Sequence, residues 1–264
     1  VATGSLGQGL SVGVGMALAT RMQKRSFRTY VLLGDSECAE GSVYEAFQLA
    51  SYYKLNDLCA IVDVNRLGQR GETMLGYDIA KYKKRFSAFG WNTIEVNGHS
   101  VSEIKSALGK AKISDKPSVI LAKTIKGKGV SIFQGKENWH GKALSKDELA
   151  QALNEVGNAK MPSFHPKKPS LSSHHHVIKK NLNLPEYKKE TATREAYGDT
   201  IAALAESNNN VLVLDAEVSN STFSERVKEK NPEQFIECFI AEQNMASMAL
   251  GLAVKGHDVY ASTF

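Results

Sequence analysis

The chain has 264 residues, of which 42% are hydrophobic and 23% charged, a composition typical of a globular protein with one large or two medium domains. Its formal net charge of +5 is spread along the chain, and no nucleic-acid-binding motif accompanies it. No run approaches the roughly 20 apolar residues that a membrane span needs, and no N-terminal signal pattern is present. We therefore expect neither a nucleic acid nor a membrane as a partner.

The cysteines and the chain ends bear on the context of the protein. Cys38, Cys59 and Cys238 have neither the number nor the spacing of a disulfide framework or a metal site, which favours a reducing, cytoplasmic compartment. The chain starts without Met inside a Gly-rich stretch and stops at the end of an apolar strand. Neither end is typical of a domain edge. We therefore expect an internal fragment of a longer polypeptide.

The first part of the chain predicts a strand–helix–strand unit. Residues 4–24 begin with a Gly-rich turn and continue as a helix of small residues, which favours close packing against a sheet or another helix. The apolar run at 30–33 predicts a buried parallel strand, and a second apolar run follows at 58–64. A helical pattern that begins near Glu40 connects them. The unit is typical of a parallel sheet.

A polar residue follows each of these two strands. Asp35 comes after the first strand, and Asn65 comes after the second. Open parallel sheets bind ligands at the carboxyl ends of their strands. Carboxylate and amide oxygens suit Mg2+, which takes its other ligands from phosphate and water, and the amides at the start of the helix near Glu40 favour the same phosphate. The pattern thus predicts a magnesium and phosphate site, with a generic unit that has polar strand ends as the alternative.

The remaining segments predict a second α/β unit after a linker. Further predicted elements are a helix at 78–90, a strand at 92–96, a helix from Val101 capped by Ser100, a strand at 118–124, a Lys- and Gly-rich loop at 125–129, and a helix at 144–157 capped by Ser145. Pro, Ser, His and Lys dominate 159–191, which is typical of an interdomain linker. Beyond it the sequence predicts a helix from Thr193, a buried strand at 211–217, a turn at 220–224, a strand at 235–240 and a helix at Glu242.

Several stretches together resemble the transketolase family. Asp35 and Asn65 resemble the thiamine-diphosphate signature, in which Gly-Asp-Gly precedes an intervening stretch and then Asn. The stretches at 4–9, 65–69, 139–142 and 240–244 are similar to transketolase motifs and occur in the same order. The resemblance covers essentially the whole chain and is weakest in the linker.

The resemblance implies a fold and a domain organisation. We expect an α/β parallel-sheet thiamine-diphosphate-binding fold. A diphosphate-binding domain, incomplete at its N-terminus, is expected over 1–158, the linker over 159–191, and the start of a pyrimidine-binding domain over 192–264. In the family the diphosphate domain of one subunit faces the pyrimidine domain of the other. The resemblance therefore implies a homodimer with its active site at the subunit interface.

The resemblance also implies the residues of the site. The metal is expected to be Mg2+, with Ca2+ or another divalent ion as alternatives, held by Asp35, Asn65 and the carbonyl of Leu67. The residues expected to contact thiamine diphosphate are Gly4, Ser5, Leu6, Ser36, Asn65, Gln69, Lys126 and Glu242. The expected catalytic residues are Glu242, His140 and Glu40, and the donor sugar phosphate is expected at His140, Arg194 and Ser221.

The implied activity is that of a transketolase. A two-carbon ketol unit would pass from a ketose phosphate of the xylulose 5-phosphate type to an aldose phosphate of the ribose 5-phosphate type, in the pentose phosphate pathway. Glu242 would hydrogen-bond the pyrimidine ring in its protonated form, which burial or a second carboxylate such as Glu40 of the partner subunit would favour. We expect no turnover from the 264-residue piece alone, because the aromatic residues that the family stacks on the pyrimidine and several histidines of its N-terminal part are absent.

Two departures from the family leave alternatives open. Ser36 stands where the family has Gly, and Glu217 where it usually has Asp. A positive φ at Ser36 would cost free energy and weaken cofactor binding. One alternative is a transketolase-like protein without activity, with a structural or regulatory role. Another is a different thiamine-diphosphate enzyme, such as a deoxyxylulose phosphate synthase or a 2-oxo acid dehydrogenase component, against which the stretches at 65–69, 139–142 and 220–224 argue.

Overall fold

The computed structural model describes residues 1–157, 163, 165 and 177–264. About half of the predicted linker, including residues 166–176, lies outside the described residues. Its last part runs along the second half of the chain, where the Ile178 amide donates to Oδ1 of Asn209 at 2.8 Å and the Lys180 amide donates to the Ser207 carbonyl at 2.7 Å. The end of the predicted linker is therefore attached to the second unit.

The first unit is built on a parallel sheet. Its elements are α1 (Gln8–Met22), β1 (Thr29–Gly34), α2 (Gly41–Tyr52), β2 (Leu58–Val64), α3 (Ile79–Ala88), β3 (Asn92–Asn97), α4 (Val101–Lys112), β4 (Ser118–Lys123) and α5 (Lys146–Val156). The strands lie in the order β1-β2-β4-β3, and every neighbouring pair is parallel. Because all of them run in one direction, their carboxyl ends meet at one edge of the sheet.

The second unit repeats this architecture on a smaller scale. Its elements are α6 (Thr193–Ser207), β5 (Val211–Asp215), α7 (Ser219–Thr222), α8 (Glu225–Lys230), β6 (Phe235–Glu237), α9 (Glu242–Ala253) and β7 (Asp258–Ser262). The strand order is β6-β5-β7, again with parallel pairs. The predicted α/β class with parallel sheets is confirmed in both units.

The strands differ in burial according to their place in the first sheet. The central strand β4 is buried over 118–122, as expected where both faces of a parallel sheet are covered. On the edge strand β1, Val31 and Leu33 enter the core, whereas Leu32 on the opposite face is 70% exposed. The prediction that β1 is buried was therefore wrong for one face. An apolar run looks the same whether one or both of its faces are covered.

The two units meet where α1 crosses α9. A Cβ placed on Gly15 would lie 2.1 Å from the carbonyl oxygen of Met248, and one on Gly251 would lie 2.1 Å from that of Val12. The two backbones are thus in direct contact, which only glycine permits at these positions. The predicted close packing of the small-residue helix is confirmed, and its partner is the helix that begins at Glu242.

Helix caps predicted from the sequence are present in the first unit. Ser145 and Glu148 form a complete capping box at the start of α5. At the start of α4, Ser100 accepts from the amide of Glu103 at 3.3 Å, whereas the Glu103 carboxylate accepts from the amide of Asn97 at 2.8 Å. The Ser100 cap is confirmed, but the reciprocal hydrogen bond of a capping box, from the Ser100 amide to the Glu103 carboxylate, is not formed.

Two strands of the second unit end earlier than predicted. β5 ends at Asp215 and β6 at Glu237. Glu217 and Phe239, two residues beyond each end, have positive φ angles of 64° and 55°. An extended strand does not continue through such a backbone conformation. Apolar composition alone therefore overestimated the lengths of both strands.

Candidate cofactor and metal site

Asp35 lies just beyond β1, and its carboxylate faces the end of β2. Its amide donates to the carbonyl of Asp63 at 3.3 Å. Its Oδ1 accepts from the amide of Ser36 at 2.9 Å, and its Oδ2 accepts from the amide of Arg66 at 2.7 Å. Because Arg66 directly follows Asn65, the two strand ends predicted to share a metal ion are in contact.

Asn65 and Leu67 supply two further oxygen atoms at this place. Oδ1 of Asn65 accepts from the amide of Leu67 at 3.0 Å, which leaves one lone pair of this oxygen for another partner. The carbonyl of Leu67 accepts from the ammonium group of Lys126 at 3.4 Å. This carbonyl therefore already faces a cation.

The three oxygen donors fit a hard divalent cation. A carboxylate, an amide oxygen and a backbone carbonyl are donors that Mg2+ and Ca2+ prefer. Among the described residues, no three His, Cys, Asp or Glu side chains cluster in a way that would hold a metal ion. A cation at Asp35, Asn65 and Leu67 would take its remaining ligands from phosphate and water, as Mg2+ commonly does.

The protonation of Asp35 is sensitive to a nearby cation. Its side chain is only 5% exposed. Burial raises the pKa of the carboxyl above its usual range, the backbone amides of Arg66 and Ser36 and the Thr73 hydroxyl oppose this shift, and the charge of Asp63 adds to it. A bound cation would favour the ionised form. Metal binding at this position would therefore offset the cost of burying the charge.

Lys126 joins the metal donors to the loop that contains His140. Its ammonium group lies 3.0 Å from Nδ1 of His140, which is exposed. In the same loop the ammonium group of Lys142 lies 3.9 Å from the ring centre of Trp139. The structure thus brings together Leu67, Lys126 and His140, which the sequence assigned separately to metal, cofactor and sugar.

Glu37 connects the Gly-rich turn to the end of β1. Its Oε1 accepts from the amide of Gly7 at 2.9 Å, and its Oε2 accepts from the amide of Gly34 at 3.1 Å. The side chain is buried. One carboxylate therefore holds the turn before α1 against the strand end that precedes Asp35.

The turn itself is open to a ligand. Gly4, Ser5 and Leu6 are all exposed, and Ser5 has a positive φ of 53°. Glu40, the residue before α2, is exposed as well and lies over Gly7, where an added Cβ would be 2.8 Å from the Cβ of Glu40. These residues are accessible to a molecule bound outside the sheet edge.

Ser36 adopts an ordinary backbone conformation. Its φ is −64° and its ψ is −41°, and it precedes a short 3-10 turn. The strain expected from a positive φ is therefore absent. The Ser36 amide donates to the side chain of Asp35, so it supports the metal donor rather than facing outward. Gln69, in the following loop, is exposed.

Glu242 begins α9 and is exposed. Nearby, Oε2 of Glu45 on α2 accepts from the amide of Asn244 at 2.9 Å, so a carboxylate of the first unit caps the helix of Glu242. In the part of the chain that the structure describes, no hydrogen bond or ion pair joins Glu242 to Asp35 or Asn65. The expected catalytic carboxylate and the candidate metal donors are thus not brought into contact within one chain.

Arg194 and Ser221 line one cavity of about 780 Å3. Arg194 is exposed at the start of α6, with its guanidinium 5.7 Å from the ring centre of Phe223. Ser221 lies in α7, a one-turn helix where the sequence predicted only a turn. Its amide donates to the carbonyl of Val218 at 2.8 Å, which closes that turn. A cationic and a hydroxyl side chain therefore face the same space, a combination that suits an anion.

Sequence reasoning missed four residues that organise these sites. Asp63 accepts hydrogen bonds from the side chains of Asn65 and of Thr124, which begins the loop after β4. Glu37 binds the Gly-rich turn, and Glu45 caps α9. For Asp63 a signal existed, because residues two apart on a strand share a face. For Glu37 and Glu45, no sequence pattern distinguishes a residue on a solvated helix face from one with a role in the site.

Comparisons with known proteins agree with this architecture. Residues 1–212 match the family model described as "Transketolase, thiamine diphosphate binding domain", and residues 189–264 match "Transketolase, pyrimidine binding domain". The chain is 46% identical to mouse (Mus musculus) transketolase-like protein 2 over 273 aligned residues, which cover all of this chain and 44% of that protein. It is 45% identical to human (Homo sapiens) transketolase, covering all of this chain and 43% of the human protein.

A solved structure gives the same result. The crystal structure of transketolase from Campylobacter jejuni matches with a TM-score of 0.84 and 27% identity, over the whole of this chain and 48% of that one.

The fold and site define a thiamine-diphosphate-binding α/β protein. More narrowly, the chain belongs to the transketolase family. It spans less than half the length of the curated relatives named here. No helix among the described residues is long and apolar enough to cross a membrane.

Proposed function

We propose that this chain provides the diphosphate and metal site, and part of the pyrimidine and sugar-phosphate sites, of a transketolase. The convergence of Asp35, Asn65, Leu67 and Lys126 at adjoining strand ends carries the proposal. Because the chain spans less than half of its relatives, the activity is proposed for the extended protein, meaning this chain continued to the length of those relatives.

The metal and the diphosphate are assigned to the edge of the first sheet. Asp35, Asn65 and the Leu67 carbonyl would hold Mg2+, and Lys126 would contribute a positive charge to the anionic diphosphate. Gly4, Ser5, Leu6, Ser36 and Gln69 remain the proposed further contacts of the cofactor. Mg2+ keeps few protein ligands and binds phosphate oxygens readily, so metal and cofactor should bind together.

Thiamine diphosphate, when bound, supplies the carbon nucleophile that accepts and releases a two-carbon unit. Glu242 would hydrogen-bond the pyrimidine ring, and His140 would bind the sugar and assist proton transfer. Arg194 and Ser221 would hold the phosphate of a donor of the xylulose 5-phosphate type, and the acceptor would be of the ribose 5-phosphate type. These reactions belong to the pentose phosphate pathway.

We place the complete active site between two subunits. Glu242 is exposed and forms no hydrogen bond or ion pair with Asp35 or Asn65 in the described part of the chain. A homodimer in which Glu242 of one protomer approaches the metal donors of its partner would supply the missing contact, with Glu40 near the interface. All three cysteines are buried and free, which suits a cytoplasmic enzyme.

Cofactor binding tests the proposal directly. Thiamine diphosphate with Mg2+ should saturably quench Trp fluorescence in the extended protein, because Trp139 lies beside His140 in the candidate site. The variants Asp35→Asn and Asn65→Ala should weaken this binding by about tenfold or more, since the first removes the negative charge of a metal ligand and the second removes the ligand itself. Asp147→Asn, on the exposed first turn of α5, is the matched control and should bind normally. Normal binding by both site variants would refute the assignment.

An inactive transketolase-like protein is the second candidate. Its support is Glu217, which departs from the family and has a φ of 64°, together with the similarity to a transketolase-like protein. The two candidates differ in turnover. Saturable cofactor binding without ketol transfer between sugar phosphates would favour the inactive protein, whereas transfer would establish the enzyme.

A further inference from the structure

Asp63 holds the side chain of Asn65, one of the candidate metal donors. It lies near the end of β2, two residues before Asn65, and its Oδ2 accepts from Nδ2 of Asn65 at 3.0 Å. On the other side of the same amide, Oδ1 of Asn65 accepts from the backbone amide of Leu67 at 3.0 Å. The NH2 group and the oxygen of the Asn65 side-chain amide therefore each have a hydrogen-bond partner.

These two neighbours force one orientation of the amide. An ionised carboxylate can only accept hydrogen bonds, so the group that faces Asp63 must be the NH2 of Asn65. A backbone N–H can only donate, so the group that faces Leu67 must be the oxygen. A rotation by half a turn would place two acceptors together at Asp63 and two donors together at Leu67. It would also replace the oxygen by an NH2 group, which cannot bind a cation.

Asp63 also forms a hydrogen bond with the start of the loop that follows β4. Its Oδ1 accepts a hydrogen bond from the hydroxyl of Thr124, the first residue after the strand. Two residues further along, Lys126 reaches the Leu67 carbonyl at 3.4 Å and His140 at 3.0 Å. One carboxylate thus connects the amide oxygen of the metal site with the loop that presents its nearest ammonium group.

We propose that Asp63 is a positioning residue that turns the amide oxygen of Asn65 toward the metal ion. The inference rests on the proposed function and adds to it a residue that touches neither metal nor substrate. Partners of this kind, which orient a ligand without binding the metal, commonly change metal affinity by about 10- to 100-fold when they are replaced.

Two substitutions separate orientation from charge. In Asp63→Asn, the new side chain can still accept from Asn65 through its oxygen, while its NH2 donates to Thr124, whose hydroxyl can accept as well as donate. In Asp63→Leu, the acceptor is lost, and only the Leu67 amide still favours the original orientation of the Asn65 amide. We expect the Kd for Mn2+, measured by electron paramagnetic resonance on the extended protein with thiamine diphosphate, to rise about tenfold in Asp63→Leu and to stay near the original value in Asp63→Asn.

A third substitution distinguishes positioning from a general loss of structure. Asn65→Asp gives residue 65 two equivalent oxygen atoms, so no orientation remains to be set. In that background Asp63→Leu should no longer weaken Mn2+ binding, whereas damage to the fold would weaken it in both backgrounds. An equal loss in both backgrounds, an unchanged Kd in Asp63→Leu alone, or a loss in Asp63→Asn as large as in Asp63→Leu overturns the inference. Absence of Mn2+ binding by the unmodified protein would instead overturn the proposed function, and this inference with it.

Discussion

At the scale of single residues, the site is organised by buried carboxylates whose partners are backbone amides. Glu37 accepts from Gly7 and Gly34, and Asp35 accepts from Ser36 and Arg66. Hydrogen bonds from a neutral donor to a charged acceptor contribute more than those between neutral groups, about 1.5–3 kcal/mol each. These contacts hold the turn and the strand ends in place before any ligand arrives.

A substitution at Ser36 tests whether the backbone beside Asp35 already has its ligand-binding conformation. Because its φ is already −64°, the variant Ser36→Gly removes no strain, and we expect its Kd for thiamine diphosphate to stay unchanged. The free energy of unfolding should fall by about 0.4–1 kcal/mol, since glycine gives the unfolded chain more freedom. Fluorescence titration and chemical denaturation measure the two quantities. A markedly tighter complex would mean that the bound state requires a backbone conformation that serine resists.

At the scale of elements, the contact between α1 and α9 joins the two units. Gly15 and Gly251 bring the two backbones together, and Glu45 caps the first turn of α9 through the amide of Asn244. The close contact of the two helices depends on the absence of side chains at the crossing. The position of Glu242 relative to the first unit is therefore set by the glycines as much as by any polar contact.

The crossing predicts opposite effects for two glycine substitutions. In Gly15→Ala the new methyl group would meet the Met248 carbonyl, so we expect a loss of at least about 1–3 kcal/mol in the free energy of unfolding. Gly109, exposed in α4 with open space around it, is the matched control. Gly109→Ala should stabilise by up to about 1 kcal/mol, because alanine favours a helix. Urea denaturation measures both, and equal stability of the two variants would contradict the close crossing.

At the scale of the whole molecule, one chain does not assemble all the proposed groups. The metal donors lie at the edge of the first sheet, and Arg194 and Ser221 line a cavity of the second unit. Glu242 is exposed, and among the described residues it forms no hydrogen bond or ion pair with Asp35 or Asn65. The proposed site shared between two protomers would account for this separation.

Complementation between protomers tests the shared site. In the extended protein, the variants Asp35→Asn and Glu242→Ala should each be nearly inactive as homodimers. A heterodimer that carries one variant in each protomer should regain ketol transfer, because one of its two sites then receives both intact residues. A coupled assay on the co-expressed, doubly tagged complex measures this. If activity stays absent although the heterodimer forms, both residues act within the same protomer or neither acts as proposed.

The sequence and the tertiary structure determined different properties of this protein, for a physical reason. Local pattern determined the α/β class, most strands and helices, the caps at Ser100 and Ser145, and the placement of Asp35 and Asn65 at neighbouring strand ends, since periodicity and strand direction are local properties. Only tertiary structure decided the exposure of Leu32 and the backbone of Ser36. It also decided that Asp63 and Glu37 are partners of the site, because burial, backbone angles and long-range hydrogen bonds depend on residues far away in the chain.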